Sequence, residues 1–432
     1  MKHYLVIQLA RFGDLVQTKR LVATLAARPD SRVHLCLDRS LEPLARLVYP
    51  DAILHPVTAH GTGLDGPEAV RAMLVDNRRA FADMRAVGFE RVYNLNFSGL
   101  NFRLAALFDP DTVEGYAWKD GQELISPWAA MAMRWSDHRR LSINLVDFWA
   151  AYCPDAIAPQ RVNPPASGRD DGRGDGRGGG LGGGLGVVLA GRESRRSLPV
   201  EVLARVVGTV ARARGVGRVV LLGGPGERAA GQAMLKELPP AVQAMTRNVA
   251  GQTGWADLVE IVGSLDLLLT PDTGTMHLAA HLGTPVLAFF LSSAWCFETG
   301  PYGEGHVVHQ ATAPCLPCLE TRPCDHGLQC LGPFADPGYP RFLATGNPDH
   351  APGGLLACQS RFDALGQTYA PMIGSDPDAE QRAGFRQFIL SHLTGDHDSI
   401  RKGLSDMDTL MAQRVHRERD WITTAPMRTI TE

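Results

Sequence analysis

The chain is short of charge excess, of cysteine and of long apolar runs, and each shortage excludes something. Lys and Arg number 43 and Asp and Glu 46 in 432 residues, a formal net charge of −3. That near-balance gives no global electrostatic case for a nucleic-acid binder, which should carry a basic excess. A local phosphate site is still compatible with it. No stretch reaches the roughly 18 consecutive apolar residues that span a bilayer. Met1-Lys2-His3 followed by YLVIQLA has the outline of a short signal peptide, but Arg11 and Asp14 follow at once without a small-residue cleavage site. The run reads as a buried strand, and the protein is expected in the cytoplasm. Eight cysteines are too few for a disulfide scaffold. What is present is an ordinary globular mixture, 44% apolar and 21% charged, which excludes a disordered chain, a coiled coil and a collagen-like repeat. At roughly 100–200 residues per domain, two or three domains are expected.

One boundary is visible in composition. Residues 167–186 hold 11 glycines in 20 positions, too little apolar area to offset ordering, so a flexible linker is expected. It separates an N-terminal lobe, 1–166, from a C-terminal lobe, 187–330. Both lobes alternate short apolar runs with helix-like periodicity. Strands are expected at His3–Leu9, Val33–Leu37 and Arg91–Leu95, with a helix over Leu15–Ala27. In the second lobe, strands at Gly186–Ala190, Val219–Gly223, Asp266–Thr270 and Pro285–Leu291 alternate with helices at Val200–Arg214, Trp255–Ser264 and Thr275–Leu282. That alternation predicts an α/β protein with parallel sheets of βαβ units, and two such lobes suggest a central cleft. Residues 331–375 are rich in Pro and Gly without periodicity and are expected to be a surface insertion. The remainder, 376–432, reads as two amphipathic helices, Asp378–Thr394 and Ser399–Arg419.

In open parallel sheets ligands bind beyond the carboxyl ends of the strands. Strand one ends in Leu9-Ala10-Arg11-Phe12-Gly13-Asp14. Asp14 falls at or near a helix N-cap, where the helix dipole keeps a carboxylate ionised. Such a residue can act as a general base, although a plain capping aspartate has the same spacing. The apolar run Leu267–Leu269 leads into TPDTGTMHLAA, residues 270–280. Thr273, Gly274 and the amides of the next helix form a concavity for a phosphate, and His277 lies one turn in, able to donate to it. Asp272 would repel phosphate, so it should orient backbone amides or a sugar. Arg195 and Arg196, after another strand, could neutralise a diphosphate. Glu227, after the Gly223-Gly224 turn, could hold two ribose hydroxyls. That turn lacks the spacing of a dinucleotide fingerprint, which sets a nicotinamide cofactor aside. The sites together suggest group transfer from a nucleotide sugar to a hydroxyl.

The chain resembles the heptosyltransferase family of bacterial lipopolysaccharide glycosyltransferases, glycosyltransferase family 9. The similarity rests on residues 248–290, NVAGQTGWADLVEIVGSLDLLLTPDTGTMHLAAHLGTPVLAFF, and on TGPYGEGH at 299–306. RFGDLVQT at 11–18, the segment 92–108, Gly115-Tyr116 and NLVDFW at 144–149 also fit. The resemblance implies a GT-B fold, two Rossmann-like lobes with an interlobe cleft. It implies an inverting transfer, with no cofactor required, from a nucleotide-diphospho sugar, typically ADP-heptose. It assigns Asp14 as the base, Arg196 to the donor phosphates and Glu227 to the nucleoside. Thr253 would flank the base, and Asp272, Thr273, Gly274 and His277 would form the donor loop. Two departures stand out. Arg196 replaces a usual lysine, and Ser292-Ser293-Ala294-Trp295 stands where the family often has a Gly-Pro turn.

Cys315-x2-Cys318-x5-Cys324-x5-Cys330 has the compact spacing of a tetrahedral thiolate site. A structural zinc or iron is the metal reading, and reduced thiols in a packed loop the alternative. Cys358 is a substitute ligand. Similar clusters occur in the wider family, and a protein-heptosylating branch carries iron at one with different spacing. The expected acceptor is a glycan or lipid-linked hydroxyl, which would bring the enzyme at most peripherally to the inner face of the cytoplasmic membrane. Arg414, Arg417 and Arg419 could assist there, although Glu418 and Asp420 sit among them. The competing readings are a protein O-heptosyltransferase, a nucleotide-sugar epimerase on the same fold, and a non-catalytic metal-binding scaffold.

Overall fold

The computed structural model describes residues 1–59, 66–130, 140, 142–163, 183–190, 194–319 and 322–394. The chain divides into two compact units. The first comprises Met1–His138, Val146–Ile157 and Ala383–Glu432; the second comprises Arg139–Leu145 and Ala158–Arg382.

The first unit is built on a six-stranded sheet. Its strands are β1 (Lys2–Gln8), β2 (Ser31–Asp38), β3 (Ile53–Val57), β4 (Arg91–Asn94), β5 (Val113–Lys119) and β6 (Gln122–Ile125), in the order β3-β2-β1-β4-β5-β6. All neighbours run parallel except β5 and β6. The central strand is buried from Tyr4 to Gln8, as a strand covered on both faces must be, and this is why YLVIQ reads as an unbroken apolar run. The helix expected over Leu15–Ala27 is two helices, Phe12–Gln17 and Lys19–Ala26. They meet at Thr18, whose hydroxyl donates to the carbonyl of Leu15 at 2.7 Å. Arg20, buried in the second of them, donates to Asp147 at 2.6 Å and to the carbonyl of Ile157 at 2.9 Å.

The second unit carries an eight-stranded sheet. Its strands are β7 (Leu185–Val188), β8 (Val219–Leu222), β9 (Thr246–Asn248), β10 (Leu267–Pro271), β11 (Val286–Phe290), β12 (Val307–Ala311), β13 (Leu355–Phe362) and β14 (Gln367–Ile373). Their order is β14-β13-β12-β11-β10-β7-β8-β9. The run from β12 to β9 is parallel, and β13 and β14 add antiparallel at one edge.

Three expectations meet this architecture. The Gly-rich run predicted as linker ends earlier than composition suggested, because Leu185 and Gly186 are already in β7. At Gly186 a Cβ would fall 2.3 Å from a methyl of Leu265, so that glycine serves close packing and not flexibility. The rest of the predicted linker, to residue 182, lies outside the described residues. Residues 331–375 are not a surface insertion: they form helices Gly332–Ala335 and Gly338–Thr345 and the hairpin β13–β14. Leu355, Leu356, Ala357 and Cys358 are buried in the sheet core. The Pro and Gly that broke the periodicity sit at helix starts and turns. The helix expected over Asp378–Thr394 is present as Ala379–Thr394; Ser399–Arg419 and the basic residues beyond Arg401 lie outside the described residues.

Candidate functional site

In the first unit the turn after β1 is fixed by its neighbours. The N–H of Leu9 donates to Asn96 Oδ1 at 2.8 Å, and the N–H of Ala10 to Gln8 Oε1 at 3.2 Å. The N-cap of the next helix is Arg11, not Asp14. Asp14 stands in the first turn and reaches back to accept the Arg11 N–H at 3.2 Å. The carboxylate is therefore held at the carboxyl end of the central strand, half-buried.

In the second unit the predicted donor-site segments leave one sheet edge, from the adjacent strands β10, β7, β8 and β9. The segment after β10 is the most ordered by side-chain bonds. Thr273 is the N-cap of the helix Gly274–His281, its Oγ1 accepting the Met276 N–H at 3.3 Å. Thr270 Oγ1 donates to the Pro271 carbonyl at 2.7 Å, so at the 3.0 Å contact between the two threonines it is Thr273 that donates. Gly274 opens the helix. Asp272 is buried and turned onto side chains: Oδ2 accepts from Arg196 Nη2 and from Thr299 Oγ1 at 2.8 Å, and Oδ1 lies 3.8 Å from His277 Nε2. Asp272 was expected to orient backbone amides or a sugar; in the structure its carboxylate meets the side chains of Arg196, Thr299 and His277. Arg196 Nε is buried with no hydrogen-bond partner.

Glu227 ends the short turn Pro225–Glu227 after β8, and its side chain lies over Gly223 and Gly224. The N–H of Gly251 donates to the carbonyl of Gly223 at 2.9 Å, which ties the loop carrying Thr253 to the loop carrying Glu227. Both residues are half-buried. Arg196, Glu227, Thr253, Asp272, Thr273, Gly274 and His277 thus gather on one edge of one sheet; Asp14 belongs to the other unit. Gly191, Arg192 and Glu193 lie outside the described residues.

Residues not singled out by the sequence complete this edge. Thr299, within the TGPYG segment, supplies the hydroxyl on Asp272. Asn144 of NLVDFW donates to the carbonyl of Gly300 at 3.2 Å, and Asn163 to that of Tyr302 at 2.9 Å. These amides clamp the GPYG turn behind the site. The clue in the sequence was proximity to a motif, without a hint of the partner.

The cysteine segment follows β12 on the same edge. Cys318 N–H donates to the Ser292 carbonyl at 3.0 Å, and Arg195 Nη1 to the carbonyl of Arg322 at 2.8 Å. Gln329 Nε2 contacts Cys315 Sγ at 3.5 Å. Burial pushes the Cys318 and Cys330 thiols up, whereas backbone amides of Leu328 and His326 pull that of Cys324 down. Among the described residues no group of three or more His, Cys, Asp or Glu side chains is placed to hold a metal ion. Cys315, Cys318, Cys324 and Cys330, the four thiols expected as a ligand shell, form no disulfide. Cys358 is buried in β13, where burial raises its pKa to about 12.

The fold and the strand-end site define a two-unit α/β protein of the GT-B class. The structure is similar to that of the glycosyl transferase family 9 from Veillonella parvula DSM 2008, with a TM-score of 0.54 at 16% identity, covering 72% of this chain and 86% of the other. Residues 204–326, within the second unit, match the model of glycosyltransferase family 9 (heptosyltransferase). Over 73 residues the chain is 36% identical to lipopolysaccharide heptosyltransferase 2 of Salmonella typhimurium and of Escherichia coli K12, which is 17% of this chain and 21% of each relative. The chain thus spans about a fifth of the length of the curated relatives it matches. Its resemblance to the heptosyltransferases is shown over this segment.

Proposed function

We propose that the protein is an inverting glycosyltransferase that moves a sugar from a nucleotide-diphospho donor, ADP-heptose being favoured, to a hydroxyl of a glycan or lipid-linked acceptor. The observation that carries this reading is the buried, unpartnered Nε of Arg196 beside the start of the helix Gly274–His281. A buried N–H without an acceptor costs about 1–3 kcal/mol, and a guanidinium held in place by Asp272 at a helix N-terminus suits a phosphoryl oxygen. The heptosyltransferase 2 similarity supports heptose as the sugar.

In this reading Asp14 takes the proton of the acceptor hydroxyl as its oxygen attacks the anomeric carbon. The bond from that carbon to the donor phosphate breaks, and the nucleoside diphosphate leaves. Arg196, with the amides of Gly274 and Thr275, stabilises the charge that develops on the leaving group. Asp272 keeps Arg196 in place and holds His277 beside it. Glu227 binds the ribose and Thr253 flanks the base. In this reading no step runs through a metal, and the loop of the four thiols meets Ser292 and Arg195. Among the described residues no helix is long and apolar enough to cross a membrane. A cytoplasmic place, with contact to a lipid-linked acceptor at most peripheral, is part of this proposal.

A thermal-shift screen with ADP-heptose and with GDP-, UDP- and TDP-sugars tests this. ADP-heptose should raise the melting temperature most, since a ligand at 100 times its Kd adds about 2.7 kcal/mol. No shift with any of them overturns the proposal. Turnover of the donor without an acceptor would replace it with an epimerase.

A further inference from the structure

Each residue of the turn Gly300-Pro301-Tyr302-Gly303 is bonded to a side chain from elsewhere in the second unit. The Gly300 carbonyl accepts from Asn144 Nδ2 at 3.2 Å, the Pro301 carbonyl from the Tyr369 hydroxyl at 3.1 Å, and the Tyr302 carbonyl from Asn163 Nδ2 at 2.9 Å. The Gly303 N–H donates to Gln367 Oε1 at 2.8 Å. All four turn residues are buried, and a buried backbone group needs a partner. Side chains supply them here in place of a helix or sheet ladder, which fixes the turn at four successive points. The two glycines admit these side chains. A Cβ at Gly300 would lie 2.2 Å from the Tyr369 hydroxyl oxygen, and one at Gly303 2.8 Å from Asn163 Nδ2.

The turn directly follows Thr299, the last residue of the helix Cys296–Thr299, and Gly300 is that helix's C-cap. A helix of four residues does not hold itself, because its first turn fixes more dihedral angles than its few bonds repay. The place of Thr299 is therefore set by whatever ties the residue after it. Thr299 Oγ1 donates to Asp272 Oδ2 at 2.8 Å, the oxygen that also meets Arg196 Nη2. Hydrogen bonds weaken steeply as distance and angle depart from the optimum, so a shift at Gly300 reaches the guanidinium through two side chains. Of the four ties, the one from Asn144 falls nearest Thr299 along the chain. Asn144 is fully buried, and it comes from Arg139–Leu145, a stretch that precedes the Gly-rich run in sequence and yet belongs to the second unit.

We propose that Asn144 is a positioning residue for the donor: by holding the Gly300 carbonyl it sets Thr299 on Asp272, and through Asp272 the guanidinium of Arg196. This rests on reading the second unit as a nucleotide-diphosphate site and adds to it a residue that acts only through others. Its effect belongs to the phosphate end of the donor, where Arg196 stands, and not to the nucleoside end, where Glu227 and Thr253 stand.

Calorimetric titration of the full-length protein with inorganic pyrophosphate, ADP and adenosine tests it in the wild type, Asn144→Ala, Thr299→Val and the double variant. Asn144→Ala should bind pyrophosphate and ADP about threefold more weakly or worse, the size of effect expected along a bonded relay, with adenosine binding unchanged. In the Thr299→Val background the same substitution should cost nothing further, since residues in one network do not add. Unchanged pyrophosphate affinity in Asn144→Ala overturns the inference. An equal loss for adenosine also overturns it, because the role is then general packing, and so does full additivity with Thr299→Val, because the route is then not through Thr299. Should the wild type bind neither pyrophosphate nor any nucleoside diphosphate, the transferase reading falls first and the inference falls with it. If Asn144→Ala does not fold, Tyr369→Phe takes its place with the same outcomes, since it keeps the ring and removes only the hydroxyl on the Pro301 carbonyl.

Discussion

Asp14 and Asp272 are both acids at strand ends, and their surroundings differ. Asp272 is buried against a guanidinium, a hydroxyl and an imidazole, so its charge is matched within the protein. Asp14 is half-buried and accepts the Arg11 N–H at 3.2 Å; its place as the base belongs to the proposed mechanism. Asp14→Asn should lower kcat by about 10²–10⁴, the usual contribution of a general base, with donor affinity unchanged; a loss below tenfold in a transfer assay would place the base elsewhere. Thr299→Val removes one of the bonds that fix Asp272 and so loosens Arg196. Its donor Kd should rise several-fold, with about 1 kcal/mol lost from stability, measured by calorimetry and by urea unfolding. The positions of Asp14, Arg196 and Asp272 were legible in the sequence, because glycine turns after apolar runs mark strand ends. The pairing of Asp272 with Arg196 and Thr299 was not, since those contacts span 76 and 27 residues of chain and no local pattern encodes them.

At the level of elements, periodicity located β1, β2, β4, β7, β8, β10 and β11, missed the other described strands, and misjudged what lay between them. The helix at residues 12–26 breaks at Thr18, where a side chain bonds its own preceding turn and competes with the helix ladder; apolar spacing continues across the break and hides it. Strands β1, β2 and β3 also carry a feature that periodicity does not show. His3 Nδ1 lies 2.9 Å from His34 Nε2, and His34 Nδ1 lies 2.8 Å from His55 Nε2. Burial and the two flanking imidazoles lower the His34 pKa to about 4. His55 is lowered by burial, with Asp83 opposing the shift, and Phe89 packs edge-on against both rings. With the folded pKa of His34 below its ordinary value of about 6.5, the unfolded chain binds more protons between those values. The stabilising contribution is complete above pH 6.5 and is lost as pH falls towards 4. Urea unfolding of the wild type and His34→Asn from pH 7.5 to 4.5 checks this: the advantage of the wild type should shrink as pH falls, and a constant difference refutes it. Gly115 is a second element-level constraint. It holds φ +93° on β5, and a Cβ there would sit 2.1 Å from the Asn94 carbonyl oxygen. Gly115→Ala should destabilise the first unit by about 1–3 kcal/mol, the usual cost of such strain, seen as a lower urea midpoint.

At the scale of the whole molecule, composition served poorly wherever glycine and proline were abundant. Gly186 and the residues around Pro333, Gly338 and Gly354 look like loop by frequency, yet they belong to strands, helix starts and tight turns of one sheet. The test of that correction is deletion of the hairpin that composition had consigned to the surface. Residues 355–373 supply the two antiparallel strands at the edge of the second sheet. Leu355 and Leu356 are 4% and 1% exposed and Cys358 is fully buried. Tyr369 covers Gly300 and donates to the Pro301 carbonyl at 3.1 Å, immediately after the Thr299 that fixes Asp272. Burying the two leucines alone is worth about 3–6 kcal/mol, a large part of the about 5–15 kcal/mol that holds a domain folded. Removing 355–373 also exposes the edge of β12, a surface expected to aggregate. A short turn joining residues 354 and 374 should therefore give protein that is insoluble, or that loses its cooperative thermal transition and its nucleotide-dependent shift. Were the segment a surface insertion, the shortened chain would melt as the wild type does and keep its donor affinity. Circular dichroism melting of the purified deletion variant, with and without ADP, separates these outcomes.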